Sequence, residues 1–309
     1  MLNAENKISR DEWVFKRKKL EEEQYSLRKL KFPKWVWRSF YFIYFLSETL
    51  LKLTKYYQKG KKNALDVKIT RQELFYDNLP KSFDGYTIMH LSDLHIDKLY
   101  EVENSIINIV ENLYCDICVV TGDYRNGLFD NEERLYESLE NIFKHIKTKD
   151  GILATMGNHD THDMINSLEK TGVKLLLNES FDVFRGKENI SFTGVDDPHF
   201  YYSEDIAKAI KDSKGYFKIL LVHTSELYKL AFEQDYNLYL CGHTHGGQIC
   251  KEDGNAIIIN VRKGKKYNKG LWKYKDIYGY TSRGTGVSAM GVRFNSFSEI
   301  ALITLRRKG

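Results

Sequence analysis

Proline is scarce in this chain of 309 residues, with only Pro33, Pro80 and Pro198, so no polyproline tract or proline-rich linker divides it. The four cysteines make no disulfide framework and suit a reducing cytosol. Cys115 and Cys118 form a C-x-x-C, but they bracket the start of an apolar run of strand character. Residues three apart there face opposite sides, which argues against a shared metal. Cys241 and Cys250 are expected to be small packing residues. A long apolar run is also missing. The uninterrupted stretch Phe40–Leu46, flanked by Arg38 and Glu48, falls far short of the ~20 residues that span a bilayer. A short basic start running at once into an apolar core is absent too, so no export signal is expected.

Charge is divided unevenly. Residues 1–70 carry 17 Lys or Arg against 8 Asp or Glu, a net of +9, which leaves the remainder at 30 against 34, a net of −4. Residues 1–70 therefore read as a basic, aromatic helical appendage, separate from a domain over residues 84–305. Its segment Trp35–Leu46 is rich in Trp, Tyr and Phe, and Lys52, Lys55, Lys59, Lys61 and Lys62 follow. That pattern suits a helix lying in the headgroup layer of an anionic membrane. The same helix could instead pack on the domain and form a greasy wall above its site. A cytoplasmic location, peripheral on the inner face of the cell membrane, is the expectation. The sequence sets no oligomeric state.

The middle of the chain repeats one local grammar. Apolar runs of strand length end in glycine or serine and then in residues able to ligate a metal: Tyr86–Ser92 into Asp93-Leu94-His95, Ile117–Thr121 into Gly122-Asp123, and Gly151–Met156 into Gly157-Asn158-His159-Asp160. Phe217–Val222 runs likewise into His223, and Tyr236–Cys241 into Gly242-His243-Thr244-His245. Residues just past strand ends of an α/β sheet are where sites collect. Carboxylates, imidazoles and an amide oxygen, without thiolate, suit manganese, iron or zinc in hydrolytic work. Two divalent ions ~3.5–4 Å apart can share a carboxylate, activate a water and clamp phosphoryl oxygens.

In order and spacing these clusters resemble the signature of the calcineurin-like metallophosphoesterases. The resemblance implies that Asp93, His95 and His245 hold one metal, that Asn158, His223 and His243 hold the other, and that Asp123 bridges them. Manganese is the first expectation for both ions. The same resemblance gives His159 the phosphate contact and leaving-group proton, with Asp160 orienting its ring. Arg125 and Arg293 are candidate phosphate clamps because guanidinium pairs bidentately with phosphate oxygens, and His162 is a candidate substrate contact. The fold implied is a four-layer α/β/β/α sandwich of two mixed sheets. The runs Ala256–Asn260, Ile277–Tyr280 and Ile300–Leu305 are expected to supply the second sheet, with residues 261–272 as a mobile loop near the mouth.

Companion motifs, Gly246-Gly247-Gln248-Ile249, Gly194-Val195-Asp196-Asp197 and Tyr280–Gly286 followed by Val292-Arg293-Phe294, resemble the bacterial phosphodiesterase and pyrophosphatase branch. Ser298-Glu299 departs from that branch, which often places proline before this glutamate. The branch includes UDP-2,3-diacylglucosamine pyrophosphatases of lipid A synthesis, so the expected activity is cleavage of a phosphodiester or pyrophosphate in a lipid-linked or nucleotide-sugar substrate. A nuclease is the enzymatic alternative, since +9 on the appendage could track a phosphate backbone. Its aromatics are clustered, however, and not interleaved with basic residues as a stacking platform would be. A metal-free scaffold is the non-enzymatic alternative, but a chain that had lost its metals should show eroded ligands, and none is eroded here.

Overall fold

The computed structural model describes residues 9–31, 46, 48–127 and 132–309, with the backbone alone for residues 27–31. Apart from Leu46, the aromatic segment Trp35–Leu46 lies outside the described residues.

Two six-stranded sheets face each other. The first has the order β1 (Lys68–Tyr76), β14 (Glu299–Arg307), β2 (Thr87–Leu91), β4 (Ile117–Thr121), β6 (Ile152–Thr155), β7 (Lys174–Leu175). The second runs β12 (Gly270–Tyr274), β13 (Ile277–Thr281), β11 (Leu238–Cys241), β10 (Lys218–Leu221), β9 (Glu188–Gly194), β8 (Glu179–Arg185). A two-stranded ribbon pairs β3 (Tyr114–Cys115) with β5 (Lys147–Thr148). Both sheets are mixed: β2, β4, β6 and β7 are parallel, as are β9, β10, β11 and β13. Antiparallel pairs lie at β14–β2, β8–β9 and β12–β13.

Period-two alternation sorts the apolar side chains into layers. Ile88, Ile117, Val119 and Leu153 meet Ile219, Leu221, Leu238 and Leu240 between the sheets. Met89, Leu91, Cys118 and Val120 point the other way, into a cluster with helices α3 (Val102–Val110), α4 (Glu132–Lys144) and α5 (Ile165–Lys170). Leu220 and Tyr239 pack beneath α6 (Glu204–Asp212) and α7 (Tyr228–Glu233). Strands buried on both faces read as continuous apolar runs, which is why they were legible. The four-layer α/β/β/α sandwich is the observed architecture.

Four details differ from expectation. Ile300–Leu305 belongs to the first sheet, as β14 between β1 and β2. Ala256–Asn260 is no strand: Ala256 makes one isolated bridge to Cys250, and Ile257 and Ile258 are exposed. Residues 261–272 are built into the domain, because Tyr267 and Trp272 are buried and stack with ring centroids 4.4 Å apart. Cys115 and Cys118 enter the same apolar cluster, since the chain passes from β3 to β4 through Asp116 between them.

The amino-terminal segment is joined to the domain. Trp13 of α1 (Arg10–Lys31) is part of the core cluster beside the first sheet. Helix α2 (Lys55–Leu65) lies so close to the carboxy-terminal region that a Cβ on Gly60 would come 2.7 Å from Val292 Cβ. Among the described residues no helix is long and apolar enough to cross a membrane.

Candidate two-metal centre

The carboxyl ends of β2, β4, β6, β10 and β11 open at one rim, and each delivers a polar residue there. Glycines make the approach possible. A Cβ on Gly157 would sit 2.2 Å from Asp123 Oδ1, and one on Gly242 1.9 Å from Ser92 Oγ. No larger residue fits either position without moving the loops apart. Asp93, His95, Asp123, His243 and His245 all take positive φ, between 38° and 72°. Left-handed backbone at non-glycine residues is strained and collects at functional sites.

Donor atoms of Asp93, His95 and His245 lie within 4.8 Å of one another, as do those of Asp123, His223 and His243. Except for partly buried His243, these six side chains are buried. Asn158 Oδ1 completes the second group, 3.0 Å from His223 Nε2 and 2.7 Å from His243 Nδ1. Asp123 stands between the groups, its Oδ2 3.1 Å from His223 Nε2 and 3.6 Å from His95 Nε2.

The outer nitrogens of three of these histidines are tied to backbone carbonyls. His95 Nδ1 donates to the Arg125 carbonyl at 2.8 Å, His223 Nδ1 to that of Thr121 at 2.7 Å, and His243 Nε2 to that of Asn260 at 2.7 Å. A carbonyl only accepts, so each of these nitrogens carries the ring proton, and a neutral ring then turns a lone pair inward. Inner nitrogens lie 3.2 Å apart in the pairs His95–His245 and His223–His243, close enough for each pair to share an ion. Burial, the leading cause in each case, lowers the pKa of His95 and His243 to about 3 and that of His245 well below its ordinary value. Burial also raises Asp93 to about 6. Burial opposes charge on Asp123 and His223 as well, yet their mutual attraction prevails and holds Asp123 well below the carboxylate range and His223 well above the imidazole range. Imidazoles, buried carboxylates and one amide oxygen are the donor set that borderline divalent ions take. The residues present therefore fit a pair of divalent metals.

His159 lines the cavity over these groups. Its ring meets that of His95 edge-on, centroids 5.0 Å apart, and its Nδ1 donates to the Asn126 carbonyl at 2.9 Å. That bond corrects one expectation, because Asp160 does not hold the ring. The Asp160 carboxylate accepts from the backbone amides of Gly157, Asp123 and Tyr124 at 2.7 to 2.9 Å, tying two site loops together.

The proposed substrate contacts lie elsewhere. Arg293 is fully buried and donates to the carbonyls of Arg283, Gly284, Gly286 and His245. Arg125 donates to the His159 carbonyl and to Thr161 Oγ1, bracing that loop from behind. The His162 ring pairs with Glu21 of α1 at 2.7 Å. None of the three lines the cavity. Both guanidinium groups direct donors to polar groups inside the fold, away from the cavity.

Other contributors had weaker signals. The carbonyls of Asn126 and Asn260 act through the backbone, which leaves no mark in residue type. His199 is buried beside His243, with ring centroids 5.1 Å apart and its Nδ1 2.5 Å from Glu226 Oε1. Its place directly after Asp196-Asp197-Pro198, at the end of an apolar run, was the available hint.

This centre, on this sandwich, defines a metal-dependent phosphoesterase. Residues 86–247 match the calcineurin-like phosphoesterase family, and the chain belongs to it. It is 27% identical over 241 residues to the uncharacterized metallophosphoesterase YkuE of Bacillus subtilis, covering 74% of this chain and 82% of that one. Identity to YkoQ of the same organism, also an uncharacterized metallophosphoesterase, is 25% over 274 residues, covering 84% and 98%. Identity to the phosphodiesterase YaeI of Escherichia coli is 24% over 230 residues, covering 71% and 82%.

Proposed function

We propose that the protein hydrolyses a phosphodiester or pyrophosphate bond in a substrate that carries a large apolar group, a lipid-linked phosphate or an acylated nucleotide sugar such as UDP-2,3-diacylglucosamine. The observation that carries this reading is the mixed lining of the cavity at the centre. Its volume is about 370 Å³, and Asp123, Asn158, His159 and His243 line it together with Ile249, Ile257, Ile258 and Ala289. Ile258 is 77% exposed beside the polar donors. Apolar side chains left in water at the mouth of a polar site gain by covering an apolar part of the substrate.

Asp93, His95, Asp123 and His245 would hold one metal, and Asp123, Asn158, His223 and His243 the other, with manganese our first choice. Such a pair supplies charge stabilisation for a phosphoryl group and a nucleophile at neutral pH. The protein's own part is positional. The carbonyls behind His95, His223 and His243 fix their tautomers, and the Asn126 carbonyl holds the His159 proton at Nδ1, which leaves Nε2 for the leaving oxygen. Protonated at Nε2, that ring is the general acid.

A membrane surface is the proposed setting, and exposed residues support it. Leu50, Leu53 and Tyr56 are exposed beside exposed Lys52, Lys55 and Lys59. Apolar and basic side chains together suit a headgroup layer of anionic lipid.

The test is manganese-dependent turnover of UDP-2,3-diacylglucosamine in mixed micelles, wild type against Asp123→Ala. Turnover that disappears in the variant is expected. An untouched nucleotide sugar, with bis(p-nitrophenyl) phosphate still cleaved, would remove this substrate and leave other apolar diesters as candidates.

A further inference from the structure

Helix α1 delivers one charged side chain into the interior. Arg17 is 1% exposed, with its guanidinium 3.5 Å above the Tyr201 ring. Nη1 pairs with Asp196, and Nε donates to Glu21 at 3.0 Å. Nη2 reaches two carbonyls 140 and 143 residues along the chain, those of Gly157 at 3.1 Å and Asp160 at 2.7 Å. These carbonyls bracket Asn158 and His159, a metal donor and the proposed proton donor. Tyr201, beneath the guanidinium, turns its hydroxyl to the Asn158 carbonyl at 3.4 Å. Glu21 also holds both the backbone and the ring of His162, two residues beyond the loop. A buried guanidinium is tolerated only when its donors are met, and here two of the groups that meet them are carbonyls of a site loop.

We infer that Arg17 is a positioning residue: its planar fork sets the Gly157–Asp160 loop, and through it Asn158 and His159, so that the amino-terminal helix completes the phosphoesterase centre. The domain over residues 84–305 is then unfinished without α1. A point charge cannot do the same, because the geometry calls for donors held in one plane.

The test uses the full chain and the variant Arg17→Lys, which keeps a charge beside Asp196 but loses the fork. With bis(p-nitrophenyl) phosphate and saturating manganese, kcat should fall about tenfold or more while KM stays within about twofold, as for a small misplacement of a catalytic loop. Free manganese measured by electron paramagnetic resonance should show one of two binding sites weakened by about tenfold, a readout independent of turnover. Lys16→Ala, on the same helix and paired with Asp205 and Glu12, should match the wild type in both. Wild-type kcat and wild-type manganese affinity in Arg17→Lys, with only the melting temperature lowered, would make Arg17 a fold anchor and overturn the inference.

Discussion

His159 is the side chain on which chemistry and structure separate most cleanly. It meets the Asp123 carboxylate through its backbone N–H, 2.9 Å from Oδ1, while its ring is held by the Asn126 carbonyl. His159→Gln should therefore leave manganese stoichiometry at the wild-type value and lower kcat by about 10² to 10⁴, the usual contribution of a general acid. Metal analysis beside steady-state kinetics checks this, and a large loss of metal would show His159 to be a ligand. The candidate metal donors, which the fold brings together, stood out because each follows an apolar run and because few residue types offer lone pairs to a divalent ion. Arg125 and Arg293 were misread for the opposite reason. An arginine suits a phosphate and a set of carbonyls equally well, and only the packing of the Arg283–Gly286 turn around Arg293 shows which it has met.

Among the elements, strands buried on both faces were readable and edge or surface pieces were not. Strand β1 has mostly exposed or half-buried residues, and its partner β14 lies more than 200 positions later. Nothing local marks Lys68–Tyr76 as part of the first sheet. Ala256–Asn260 shows the converse, since β-branched residues there line a mouth and form no strand. The basic segment before and within α2 carries a prediction of its own. Replacing Lys52, Lys55 and Lys59 by Glu should weaken binding to anionic vesicles by at least about 1 kcal/mol per site without changing turnover of a water-soluble diester. Vesicle cosedimentation measures it, and equal binding by wild type and variant would remove the membrane proposal.

For the molecule as a whole, the centre ties the two sheets together. Asp93, Asp123 and Asn158 come from loops of the first sheet, His223 and His243 from loops of the second. Metal binding should then stabilise the entire sandwich. Manganese at about one hundred times its dissociation constant adds about 2.7 kcal/mol, enough to raise the melting temperature by about 5 °C over chelator-treated protein. Scanning fluorimetry tests this, and Asp123→Ala should lose most of the rise. The sequence by itself determined the donor set, its order along the chain and the layered core, because strand alternation and ligand chemistry are properties of residue type and short spacing. Tertiary structure alone decided that α1 reaches the Gly157–Asp160 loop, that Asn126 and not Asp160 holds the His159 ring, and that Ile257 and Ile258 stand at the mouth. Those outcomes depend on contacts between distant segments and on backbone carbonyls, which every residue carries alike.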